Sequence, residues 1–93
     1  MLSVESARKI GINACIDKIG RDFVMAHRDS STSAYGECED GVFCFVGVDD
    51  NPVRSQRDDT LVLDSQTSFP YRASCSVNPE NGVTKFIECV VPA

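Results

Sequence analysis

Five cysteines and one histidine are the residues of this chain best suited to chemistry: Cys15, Cys38, Cys44, Cys75, Cys89 and His27. Metal binding is the first chemistry to weigh. A structural zinc site takes two ligands from one short turn, so its cysteines or histidines come in closely spaced pairs. This chain has no Cys-x-x-Cys. Its closest pair, Cys38 and Cys44, is separated by five residues, and His27 precedes Cys38 by eleven positions. Cys15, Cys44, Cys75 and Cys89 fall among apolar neighbours, where cysteine behaves as a small buried hydrophobe. Nucleophilic chemistry needs a thiolate and a base. Cys38 is the cysteine most exposed by pattern, but it stands between Glu37 and Glu39, and neighbouring carboxylates work against a thiolate. His27 is the only imidazole available as its base.

The carboxylates suggest no assembled site either. Asp49-Asp50-Asn51 opens like a calcium loop, but lacks the glycine at position six and the glutamate at position twelve that such a loop uses. No Gly-x-Gly-x-x-Gly, phosphate-binding loop or Gly-x-Ser-x-Gly is present. No catalytic residue, metal ligand or cofactor is expected.

At 93 residues, the chain is expected to form one small α+β domain spanning residues 1–93. It is 42% apolar and 25% charged, as globular chains are, and no apolar run approaches the ~20 residues of a membrane-spanning helix. Net charge is −5, distributed unevenly: residues 1–28 carry five basic and three acidic groups, residues 29–93 four basic and eleven acidic. An acidic body without a basic stripe repels phosphate backbones, so no nucleic-acid partner and no membrane partner are expected. An odd cysteine count leaves at least one thiol unpaired in a monomer. The chain opens on a polar segment rather than a basic and then apolar leader, so the expectation is a cytoplasmic protein with free thiols.

These side chains must be positioned by few elements. Residues 3–28 carry Ile12, Cys15, Ile16, Ile19, Phe23 and Ala26 within one helical arc, which predicts a single amphipathic helix capped by Ser3 and running through Gly20. Residues 29–41 are polar and read as a loop, ending in the turn signal Asp40-Gly41. Residues 42–48 are apolar on both faces, as in a central strand. A charged connection, 49–59, leads to a short strand at 60–64 and a polar turn at 65–68. Residues 69–77 alternate apolar and polar, the pattern of a half-buried strand. A turn at 78–82 returns the chain as a last strand, 83–91, with Val77 set against Val83 and Tyr71 against Cys89. That register separates Cys75 from Cys89 and excludes a disulfide between them. The predicted fold is thus one long N-terminal amphipathic helix packed on a four-stranded antiparallel β-meander. In architecture alone, and without a shared motif, it resembles cystatin-like and PepSY-like modules, which implies nothing about function.

Function then rests on surplus apolar surface. One helix covers one sheet face, yet Phe43 and Phe45 lie opposite the Val42–Val48 row, and Phe86 and Val90 opposite Ile87 and Cys89. Phe43, Phe45, Phe86 and Val90 are the interface candidates. The expected role is a small non-enzymatic binding module that associates with itself, as a homodimer, or with a protein partner. One alternative is a thiol- or metal-dependent activity using Cys38, Cys44 and His27. Another is a small-molecule pocket between helix and sheet lined by Phe23, Phe45 and Tyr71, its ligand unknown.

Overall fold

Ser3 begins the first helix as expected, its hydroxyl accepting a hydrogen bond from the Ser6 amide at 3.1 Å. The computed structural model describes residues 1–39, 41–49 and 69–92. Helix α1 spans Val4–Ile19, with Glu5 in its first turn and Lys18 in its last, both favourable to the helix dipole. Its buried stripe is Ala7, Gly11, Cys15 and Ile19, flanked by the partly buried Ile12 and Ile16. The small residues at 7 and 11 extend the apolar arc further towards the N-terminus than the large side chains alone suggest. Gly11 is a point of close approach. A Cβ there would lie 2.9 Å from Cys44 Cβ, 3.0 Å from Val77 Cγ2, and nearer still to Cys44 Sγ.

The single helix over 3–28 is corrected at Gly20. This residue takes φ 123°, closes α1 through its amide to Ile16 O at 2.8 Å, and starts the short helix α2, Arg21–Ala26. A left-handed backbone is open to glycine at little steric cost, so the chain bends rather than carrying glycine in a helix interior. The bend also shifts the helical phase. Val24, which lies off the stripe of a continuous helix, is buried, and Ala26, which lies on it, is exposed. Phe23 remains against the core and meets Tyr71 edge-on at 5.1 Å.

A single 3-10 turn, Arg28–Ser30, leads into strand β1, Ser31–Cys38. The loop expected over 29–41 is therefore corrected: most of it is an edge strand. Ser31, Ser33, Tyr35 and Glu37 project to the helix side, yet β1 has no fully buried residue and so shows no hydrophobic alternation. The strand is held by its ladder to β2, and its polar edge discourages pairing with other chains. Strand β2, Gly41–Val48, is central as expected, between β1 and β3. Val42, Cys44, Val46 and Val48 are buried under the helix. On the other face Phe45 is only 3% exposed, with the Phe69 ring 6.3 Å away and laid over Gly47. Phe69 thus supplies part of the cover that this second apolar face requires. The strand expected at 60–64 lies outside the described residues.

Strand β3, Tyr71–Val77, shows the expected alternation, with Ala73, Cys75 and Val77 buried beneath α1. Strand β4, Thr84–Val90, completes an antiparallel sheet in the order β1-β2-β3-β4, so the architecture is α+β with the long helix on one sheet face. The register of β3 and β4 differs from the expected one. Val77 pairs with Thr84 and Cys75 with Phe86. A bulge then admits Ile87, after which Ser74 pairs with Glu88 and Ala73 with Cys89. The turn claims Val83: its carbonyl accepts from the Asn78 amide at 2.9 Å, and its own amide donates to Asn81 Oδ1. This slip by one residue would carry Glu88 under the helix if the strand were regular. The bulge resets the phase, so Thr84, Phe86 and Cys89 face the helix while Lys85, Glu88 and Val90 face away. Among the described residues no helix is long and apolar enough to cross a membrane.

Candidate functional site: an open apolar edge and a buried thiol cluster

Three thiols converge beneath α1. Cys15 comes from the helix, and Cys44 and Cys75 face one another across β2 and β3. Cys15 Sγ lies 3.6 Å from Cys75 Sγ, and Cys75 Sγ lies 3.5 Å from Gly11 O. All three side chains are fully buried, and all five cysteines are free. The Cys15 thiol is pushed up by its contact with Cys75 and then by burial, and burial pushes Cys44 up to about 11. Cys15 and Cys44 hold their protons at neutral pH and make poor nucleophiles, whereas hydrogen bonding first to Cys15 and then to Cys44 holds the Cys75 thiol below its ordinary value. The three thiols fill the narrow gap that Gly11 opens between helix and sheet.

The trio Cys38, Cys44 and His27 is not brought together. Cys38 is exposed at the end of β1, on the sheet face opposite Cys44. His27 caps α2, with Nδ1 2.9 Å from Phe23 O and its ring 4.5 Å from the Phe23 ring. Phe23 packs on Tyr71, whose partner Val48 stands four residues along β2 from Cys44, a separation of roughly 13 Å at strand rise. Among the described residues no group of three or more His, Cys, Asp or Glu side chains could hold a metal ion. The pocket trio is divided too: Phe23 and Tyr71 stack on the helix side, and Phe45 lies under Phe69 on the other. An open groove of about 540 Å³ lies instead at the hairpin end of the sheet, between Leu2, Glu37, Cys38 and Pro79.

The interface candidates separate in the same way. Phe45 is buried and Phe43 half-buried on central β2, whereas Phe86 and Val90 are exposed on β4. They have company there. Val83, Phe86, Ile87, Val90 and Val91 form an apolar run along the sheet edge, each between 38% and 60% exposed. Charges border it. Arg72 Nε donates to Glu88 Oε1 at 2.8 Å, which holds the Glu88 carboxyl below the usual range, and Lys18 Nζ stands 5.3 Å from the centre of the Phe86 ring. Among the described residues, Lys85 has no ion-pair partner. The sheet therefore has two unlike edges, β1 polar and β4 apolar. Val83, Ile87 and Val91 are the ones among these that sequence alone assigns to the core-facing row. The signal for Ile87 is the adjacent pair Phe86-Ile87, which breaks alternation where the bulge lies.

No family model, no curated protein and no solved structure matches this chain.

Proposed function

We propose that this chain is a small non-enzymatic binding module that works by protein contact, with strand β4 as its docking edge. The observation that carries this reading is that β4, which among the described residues pairs on one side only, exposes Phe86, Ile87 and Val90, with Val83 and Val91 exposed at its two ends. An unpaired ladder beside apolar side chains is the surface on which β-strand addition occurs: main-chain hydrogen bonds supply affinity and side chains supply selectivity. The full burial of Cys15, Cys44 and Cys75 and the absence of a metal-competent group among the described residues favour binding over thiol or metal chemistry. The five free thiols support a reducing compartment, the cytoplasm.

Site-specific photo-crosslinking in the producing cell tests this reading. Benzoylphenylalanine at position 87 is expected to give protein adducts on illumination, and the same group at position 32 on the polar edge is not. Adducts at 32 with none at 87 would overturn it.

A further inference from the structure

We propose that the protein docked on β4 is a second copy of this chain, paired β4 to β4 and antiparallel about a two-fold axis between Phe86 and Ile87. The two four-stranded sheets then become one continuous eight-stranded sheet. This inference rests on the reading of β4 as the docking edge and deepens it by naming the occupant and the register.

The bulge carries the argument. Two antiparallel strands related by a two-fold axis through the sheet place residues of the same sheet face opposite one another. In a regular strand, residues three apart point to opposite faces, so Lys85 of one copy could not face Glu88 of the other. In β4 they share a face, because Ile87 is the extra residue between them: Lys85 pairs with Ser76 and Glu88 with Ser74, both on the side away from the helix. An axis between Phe86 and Ile87 then sets Lys85 against Glu88 of the second copy, twice. It also sets Thr84 against Cys89, both on the helix side, and Val83 against Val90. At the axis Phe86 meets Ile87, so the exposed apolar surface is covered at the centre and the ion pairs close it on both sides.

Other registers lose these matches. An axis on Ile87 puts Phe86 against Glu88 and Lys85 against Cys89, pairing opposite faces. An axis between Ile87 and Glu88 keeps the faces but sets Lys85 against Val90. Charge therefore decides the register. Lys85 and Glu88 are the only charged residues of β4, and Lys85 lacks an ion-pair partner within its own copy among the described residues. Glu88 already accepts from Arg72, and its second oxygen, 3.5 Å from Arg72 Nη2, remains able to accept from a lysine of the second copy.

Light scattering on purified full chain, with circular dichroism to confirm folding, tests the pairing. Wild type is expected at twice the 10.1 kDa chain mass at micromolar concentration. Lys85→Glu and Glu88→Lys each create two like-charge contacts in a homodimer and are expected to weaken it about tenfold or more. Mixed in equal amounts, they restore both opposite-charge contacts, and dimer is expected to reappear. A mixture that stays monomeric overturns the register. A wild-type monomer at all concentrations, with adducts at position 87 that contain another protein, overturns the second copy but leaves the docking edge standing. A wild-type dimer without adducts at 87 overturns both.

Discussion

Gly11 is the residue on which the helix-to-sheet distance depends. Alanine ordinarily improves a helix interior by about 1 kcal/mol over glycine. Here the added methyl would press on Cys44 and Val77, and overpacking of a filled core costs roughly 1–3 kcal/mol. Gly11→Ala is therefore expected to lower stability in urea unfolding, and Cys44→Ala, by removing the sulfur, to recover part of the loss. A stabilised Gly11→Ala protein would contradict the close approach. The thiols make a second expectation. Burial raises Cys44 above the ordinary 9.0 to about 11, so the folded state resists its ionisation, while the hydrogen-bonded pair Cys15 and Cys75 shift in opposite directions. The Cys44 contribution to stability is fully present below pH 9 and is lost as pH climbs towards 11. Unfolding midpoints measured from pH 7 to 10.5 are expected to be level at first and then to fall. The burial of Cys15 and Cys75 is legible in sequence because each is in phase with apolar neighbours. Their meeting with Cys44 is not, because it depends on the alignment of a helix with two strands, 29 and 60 residues further along the chain.

At the scale of elements, legibility follows burial. Strand β3 is plain because its helix-side row, Ala73, Cys75 and Val77, is apolar while the other row, Arg72, Ser74 and Ser76, is polar. Strand β1 is hidden because neither face is deeply buried, so Ser31–Cys38 carries loop-like side chains on a strand backbone. The break at Gly20 is hidden for another reason: Phe23 keeps its core contact on either side of it, so the apolar phase looks continuous. Gly20→Ala distinguishes the two geometries. At φ 123° a Cβ is strained by about 1–3 kcal/mol, so the variant is expected to melt lower. A higher melting point would mean that the helix runs through. Ile19, at the end of α1 and buried, is expected to cost about 2–5 kcal/mol when truncated to alanine, as core deletions do. The register of β4 is the least legible element, because a bulge changes which residues share a face without leaving a gap in the sequence. The apolar surplus of Phe86 and Val90 is visible in sequence, but their company with Val83, Ile87 and Val91 along one edge appears only once the bulge is placed.

For the whole molecule, the two sheet edges differ in what they expose. Strand β1 exposes small polar side chains and the charged Glu37, with Tyr35 its one large exposed apolar side chain, and charge on an edge discourages pairing. Strand β4 ends the sheet in three exposed apolar side chains, Phe86, Ile87 and Val90, with Val83 and Val91 exposed at its two ends. The surplus apolar face of β2 is a separate matter, since Phe69 lies over Gly47 and Phe45 is buried. The most direct measurement of the docking edge is amide hydrogen exchange followed strand by strand as protein concentration rises. Exchange in Thr84–Val90 is expected to slow with concentration while exchange in Ser31–Cys38 stays constant. Protection that grows on Ser31–Cys38 while Thr84–Val90 stays unchanged would contradict β4 as the contact surface.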